Sequence, residues 1–289
     1  MKLGFVGVGN MGALMLPHLL EAGHSLVVHD VSKAALERAA QMGAAVVGSA
    51  RGVAEAGEMV LTSLPTPQVV ESVYLGERGL IERARPGQIF VDLSSISPSL
   101  ARAVASRFVD KRAEFLDAPV SGGTTGAKAG TLAIMVGGDA EALRQVEPVL
   151  KCLGSRIFHA GPVGAGSTLK LLNQILLGIN NVAVLEMMSV ALRSGLDLGL
   201  VKEVISASTG FSRSFESRFQ KIVDREYSRG FAVDLMAKDL RLSREMARDL
   251  GLDLPMASLA QTVFERAGQL GLGQEDVSAA IALYEGKDG

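Results

Sequence analysis

Over roughly the first 160 residues, short apolar runs alternate with stretches whose apolar positions recur every three or four residues. The short runs, closed by Gly, Ser, Pro or Asp, read as buried strands; the longer periodic stretches read as helices. Strands are predicted at residues 2–8, 25–29, 45–47, 59–63, 89–93, 114–118, 132–136 and 156–159. Helices are predicted over 12–22, 32–42, 49–56 and 139–150, with one more starting at Pro98. Such a series implies an α/β fold with a doubly wound, largely parallel sheet. Pro17 falls inside the first helix, where proline removes a hydrogen bond and crowds the preceding turn, so a kink is expected there.

The pattern changes at Gly161. From there to about Ser194 runs the longest apolar stretch of the chain, with no proline after Pro162. As one helix of roughly 30 residues it would be about 45 Å long at 1.5 Å per residue, which suits a helix shared between two domains. Lys170 lies near its start in apolar surroundings, and Asn173, three residues on, shares its face. Burying an ammonium is costly unless it is paired; a lysine that snorkels to the surface is the bland alternative. Beyond Leu198 the helical period dominates, predicting helices over 200–208, 215–225, 231–250, 255–270 and 274–285. The organisation expected is a sheet domain over 1–162, a connecting helix over 163–194 and an all-helical domain over 195–289.

Composition narrows the function classes. A chain of 289 residues is long enough for about two domains. A net charge of -2 without a dense basic run points away from nucleic acid. The single cysteine, Cys152, excludes an internal disulfide and has no Cys/His company for a metal site, which fits a reducing, cytoplasmic setting. Residues 1–7 imitate the start of a signal peptide, but their glycines argue for a strand and turn. The run after Leu169 holds Asn173, Gln174, Asn180, Asn181 and Glu186, more polar groups than a membrane span would carry, so no membrane partner is expected.

Three motifs carry chemistry. Gly7, Gly9 and Gly12, with Asn10 and Met11 between them, form a GxGxxG that follows a strand and opens a helix. Asp30 closes the next strand, 18 residues after Gly12, where an acid can hold ribose hydroxyls. The turn would carry a pyrophosphate on the helix N-terminus; without a ligand it is only a glycine-rich βα turn. Asp30 would repel a 2′-phosphate, and Val31-Ser32-Lys33 offers no arginine clamp, so NAD is expected over NADP, with Lys33 leaving NADP open. Leu64-Pro65 and Ser94-Ser95 end two strands and are candidate walls of the cofactor cleft, or plain loop punctuation. After the sixth strand, Ser121-Gly122-Gly123 in a glycine-rich loop can present a hydroxyl and bare N–H groups to a carboxylate, or serve turn geometry alone.

Residues 7–12, 117–123 and 164–173 with Lys170, and Lys238-Asp239-Leu240 together resemble the β-hydroxyacid dehydrogenases, over essentially the whole chain. The resemblance implies a Rossmann-type domain, a long interdomain helix and an all-α C-terminal domain. It implies that Lys170 is catalytic, that Ser121, Gly122 and Gly123 grip a substrate carboxylate, and that Asn173 supports the reacting oxygen. It places Leu64, Pro65, Ser95 and Lys238 beside the cofactor, and it implies a homodimer or homotetramer. Ser95 stands where threonine is common, Gln174 where a second asparagine is common, and His18 where asparagine is usual; Pro17 is shifted from the usual proline position near Leu14. The histidines, His18, His24, His29 and His159, lie away from the loop after the sixth strand and from the start of the long helix, so Lys170 is the candidate acid/base. The function expected is NAD-dependent interconversion of a small 3-hydroxy acid with its semialdehyde or oxo acid. Alternatives are an NADPH-linked reductase of short semialdehydes, such as tartronate or succinic semialdehyde, or of glyoxylate, and a catalytically silent dinucleotide-binding protein. A decarboxylating sugar-phosphate dehydrogenase shares the lysine logic, but no arginine cluster stands ready for a phosphate. Arg213 is a candidate reader of a second carboxylate.

Overall fold

A computed structural model describes residues 1–228 and 230–285. The chain forms two compact units, Met1–Lys170 and Leu171–Gly289. In the first, the described residues form a nine-stranded sheet: β1 (Lys2–Val6), β2 (Ser25–His29), β3 (Ala45–Val46), β4 (Met59–Thr62), β5 (Ile89–Asp92), β6 (Glu114–Asp117), β7 (Val120–Ser121), β8 (Ala133–Gly137) and β9 (Arg156–Gly161). The order is β3-β2-β1-β4-β5-β6-β8-β7, with β9 also on β8. The first six strands pair in parallel, β8 runs antiparallel to β6 and β7, and β9 runs parallel to β8.

Each central strand sends alternate side chains to opposite faces, because successive Cβ atoms point to opposite sides of the pleat. Leu3, Phe5, Leu61, Val91 and Leu116 join one core with Met15, Leu16 and Leu19 of α1 (Gly12–Glu21), Ala35 and Ala39 of α2 (Lys33–Gln41) and Val146, Val149 and Leu150 of the helix at Ala140–Leu153. Val6, Val60, Phe90 and Phe115 join the other core with Val53 of α3 (Ala50–Ala56), Val70 and Tyr74 of α4 (Pro67–Leu75), and Val104 and Phe108 of α5 (Pro98–Phe108). Burial on both faces explains why these strands read as unbroken apolar runs. Each fully buried Leu, Val or Phe contributes about 1.5–3 kcal/mol relative to exposure.

Two local differences from the sequence reading have identifiable causes. Helix α4 forms where the prolines suggest a loop: Thr66 caps it by accepting from Val69 N at 3.3 Å, and Pro67 occupies its first turn. The glycine-rich loop expected after β6 is instead the short strand β7 followed by α6 (Gly123–Ala129). His18 Nε2 lies 3.0 Å from Ala127 O and fastens that helix to α1. Helix α1 runs through Pro17, and α7 (Ala140–Leu153) runs through Pro148.

Helix α8 (Ala165–Arg193) has 29 residues and continues into the second unit. There, Leu185 and Met188 of α8 pack with Phe215 and Phe219 of α10 (Arg213–Asp224), Met236 and Leu240 of α11 (Val233–Asp249) and Phe264 of α12 (Pro255–Ala267), while α9 (Leu198–Ser206) lies at the margin of this core. The helix expected over 274–285 forms as 3-10 turns at Val277–Leu283. Asp276 pins its start by accepting from Ser278 N, Ser278 Oγ and Phe231 N, and by pairing with Arg218 and Lys221. Among the described residues, α8 alone is long and apolar enough, by length and composition, to cross a membrane; its Gln174 and Asn181 are buried.

Candidate active site

The first turn of the sheet is built by close backbone approach. Gly7 has φ +90°, and a Cβ there would meet Ser63 O at 2.2 Å. A Cβ on Gly12 would meet Gly7 O at 2.0 Å, whereas one on Gly9 would have open space. Helix α1 starts at Gly12 without a side-chain cap from Met11, which leaves its positive end available to an anion. Asp30 sits beyond the end of β2, its Oδ2 accepting from Val8 N and its Oδ1 from Ser32 N, both at 2.8 Å. Each oxygen keeps a second lone pair, so the acid can still accept from ribose hydroxyls. A tight turn, an open face at Gly9 and Asn10, an uncapped helix start and an acid on the neighbouring strand fit a dinucleotide.

Next along the strand ends, Leu64 N donates to Ser94 Oγ at 2.9 Å. Ser94 Oγ donates to Asp92 Oδ1 at 2.5 Å, as does Thr62 Oγ1 at 2.7 Å. The loops carrying Leu64-Pro65 and Ser94-Ser95 are thus tied directly to each other, with the Ser94 hydroxyl held in place by a buried carboxylate. Asp92 is fully buried, and its Oδ2 has no hydrogen-bond partner among the described residues. Burial pushes its pKa up to about 6, against the pull of the Ser94 and Thr62 hydrogen bonds, and the neighbouring Asp117 adds to the rise.

Asp117 ends β6 and anchors the long helix. Its Oδ1 accepts from Gly164 N at 2.7 Å and its Oδ2 from Ser167 N at 2.6 Å. A remote carboxylate therefore caps α8 and meets the positive end of its dipole. A Cβ on Gly166 would meet Met135 O at 2.2 Å and Asp117 O at 2.6 Å, so only glycine lets this turn rest on the backbone of β6 and β8. Lys170 follows Ser167 by less than one turn and is 6% exposed. Ser121 pairs with Ala133 of β8, and Gly122 and Gly123 follow with φ of 135° and 60°, both exposed. The loop bearing Ser121 and the helix bearing Lys170 are therefore fastened to the same strand.

In the helical unit, Asn173 Nδ2 donates to Gln174 Oε1 at 2.9 Å, and Gln174 Nε2 donates to Asp239 Oδ2 at 2.6 Å. Lys238 Nζ lies 3.1 Å from Asp239 Oδ1. Gln174 and Asp239 are 0% and 1% exposed, so this is an interior network rather than a solvated charge pair.

Two family descriptions match in sequence: residues 2–161 match the NAD binding domain of 6-phosphogluconate dehydrogenase, and residues 164–284 match the NAD-binding part of NADP-dependent 3-hydroxyisobutyrate dehydrogenase. The chain is 38% identical to 2-(hydroxymethyl)glutarate dehydrogenase of Eubacterium barkeri over 285 residues, covering 98% of this chain and 95% of the relative. It is 37% identical to the NAD-dependent L-serine dehydrogenase of Pseudomonas aeruginosa over 295 residues, 100% of this chain and 99% of that one. The chain belongs to the β-hydroxyacid dehydrogenase family. A solved structure of the family, Mycobacterium tuberculosis 3-hydroxyisobutyrate dehydrogenase with L-serine, superposes with a TM-score of 0.89 at 34% identity, covering 98% of each chain. This β-hydroxyacid dehydrogenase is an NAD(P)-dependent oxidoreductase with a Rossmann-type domain, a long helix and an all-helical C-terminal domain.

Direct contacts join Asp30 to the glycine turn, Leu64 to Ser94, and Asn173 through Gln174 to Asp239. Sequence reasoning did not single out Asp92, nor the capping role of Asp117. Both stand at the carboxyl ends of strands, where doubly wound sheets place their ligands, and that position was the available signal. Arg213, the candidate reader of a second carboxylate, is an exposed residue in the first turn of α10.

Proposed function

We propose that this enzyme interconverts a small 3-hydroxy acid and its semialdehyde or oxo acid, with NAD as the preferred cofactor. The observation that carries the reading is the burial of Lys170 on a helix whose start is fixed by Asp117, at the end of the strand that leads into Ser121. Bound nicotinamide would supply the hydride acceptor for oxidation and the hydride donor for reduction. Gly7, Gly9, Asn10, Met11 and Gly12 would hold the pyrophosphate, Asp30 the ribose, and Leu64, Pro65, Ser95 and Lys238 the remainder. Ser121, Gly122 and Gly123 would bind the substrate carboxylate through a hydroxyl and backbone N–H groups, and Asn173 would orient the reacting oxygen. On oxidation, the neutral Lys170 amine takes the hydroxyl proton; on reduction the ammonium returns it.

Asp30 supports NAD, because an ionised carboxylate already held by Val8 N and Ser32 N faces a 2′-phosphate with like charge. The NAD dependence of the Pseudomonas aeruginosa L-serine dehydrogenase supports the same choice. A second copy of the chain would cover the exposed apolar positions Leu172, Leu176 and Val190 on α8, giving a homo-oligomer. The test is a set of initial rates with 3-hydroxyisobutyrate, 2-(hydroxymethyl)glutarate, L-serine, glycerate and 4-hydroxybutyrate, each with NAD and NADP. One dominant substrate with NAD is expected. Preference for NADP would move attention from Asp30 to Lys33, and NAD binding without turnover of any acid would count against the enzymatic reading.

A further inference from the structure

We infer that Gln174 is a positioning residue that sets which way the Asn173 carboxamide points and couples it to Lys238. The inference rests on the functional reading above, which gives Asn173 to the substrate and Lys238 to the cofactor. The argument begins at Asp239, whose carboxylate can only accept hydrogen bonds when ionised. Asp239 is 1% exposed, with Lys238 Nζ 3.1 Å from Oδ1 and Gln174 Nε2 2.6 Å from Oδ2. Because Oδ2 accepts, Gln174 must turn its NH₂ toward Asp239 and its Oε1 toward Asn173. Because that Oε1 accepts in turn, Asn173 must turn Nδ2 toward Gln174, at 2.9 Å. The polarity of every link is thus fixed from the charged end. Asn173 Oδ1 and the second Nδ2 hydrogen remain for the reacting oxygen or for a lysine.

A shorter asparagine at position 174 would lack one methylene of this reach. A hydrophobic residue would leave the buried Asp239 Oδ2 without its amide donor and release Asn173 to rotate. Gln174 is 0% exposed and both ends of its amide are engaged, so its orientation is not a matter of solvent averaging.

The experiment is a double-mutant cycle with Gln174→Met, Asp239→Asn and both together, with melting temperature recorded for each. NADH affinity is measured by fluorescence titration, and kcat and KM with the substrate found in the panel. Gln174→Met is expected to lower kcat/KM at least tenfold and to raise the NADH Kd at least threefold. Asp239→Asn, which lets the amides at 174 and 173 flip, is expected to do the same. The double variant is expected to be no worse than the worse single one, since both cut one chain. Gln174→Asn, which keeps an amide, is expected to fall between wild type and Gln174→Met, and it replaces the methionine variant if that does not fold. A lowered melting temperature with unchanged KM and NADH Kd per folded enzyme, or effects that simply add, would overturn the inference. Failure of the functional reading looks different: the wild type turns over no hydroxy acid. In that case the NADH cycle alone decides, and a Kd unmoved by Gln174→Met refutes the coupling.

Discussion

The proposed reading makes Lys170 the acid/base, and the test of that assignment is a rate with a binding control. General acid/base catalysis contributes about 10²–10⁴-fold. Lys170→Ala is therefore expected to lower kcat by about 10³-fold while NAD affinity, measured by titration, changes little, because the glycine turn and Asp30 lie at a different part of the sheet. Turnover retained in that variant would remove Lys170 from the mechanism. Asp30 makes a second prediction at the same scale. Replacing its charge by the neutral amide in Asp30→Asn removes the repulsion toward a 2′-phosphate and one of the two side-chain oxygens that accept from Val8 N and Ser32 N. We expect the ratio of kcat/KM with NADP to that with NAD to rise about tenfold, the equivalent of about 1.4 kcal/mol. A ratio is the right readout because partial unfolding lowers both terms equally. An unchanged ratio would place cofactor choice elsewhere.

Elements were legible where their signals are local. The helices predicted at 32–42 and 49–56 form as α2 and α3, capped by Ser32 and Ser49, and the glycine turn announces β1 and α1 together. Helix α4 carries the same kind of signal in Thr66-Pro67, but the two prolines around Thr66 also fit a loop, and the sequence alone does not separate the two. The segment at Val277–Leu283 reads as a helix but not as 3-10 turns, because residues 277–281 are all buried and no amphipathic period marks which kind of helix they form. The site followed the same rule. Its glycines, Asp30 and Lys170 stand in short motifs, whereas Asp117 reaches Ser167 across 50 residues and Gln174 reaches Asp239 across 65, separations that no local pattern encodes. The Asp117 contact can be tested at the level of the helix it caps. Asp117→Ala strands the N–H groups of Gly164 and Ser167 in the interior, at about 1–3 kcal/mol each. We expect a loss of about 2–5 kcal/mol in denaturant unfolding together with a fall in kcat, as the first turn of α8 and Lys170 drift from the end of β6. Asp117→Asn, which retains one acceptor, is expected to lose about half as much. Full stability in Asp117→Ala would show that Gly166 packing alone holds the helix.

At the scale of the whole molecule, two buried carboxylates on neighbouring strands impose a pH dependence on stability. Asp92 and Asp117 are register partners in β5 and β6, and burial raises the pKa of both. For Asp92 the native value is about 6, against 3.8 for the free side chain. The sign follows from proton counts. Between those two values the native state holds a proton that the unfolded chain has released, so stability falls as pH rises. Below about pH 4 both states are protonated and the group costs nothing; above about pH 6 the native state carries the charge and bears the full cost. A difference of about two pKa units corresponds to roughly 3 kcal/mol. Asp117 acts in the same direction, with the N–H groups of Gly164 and Ser167 opposing it. Asp92→Asn cannot ionise, yet its amide oxygen can still accept from Thr62 and Ser94, so the tie to Leu64 survives. The melting temperature of Asp92→Asn relative to wild type is therefore expected to climb from pH 4 to pH 6.5 and then level off. A difference that stays flat over that range would mean that Asp92 titrates as an ordinary carboxylate, and that the ends of β5 and β6 carry an ionised pair throughout.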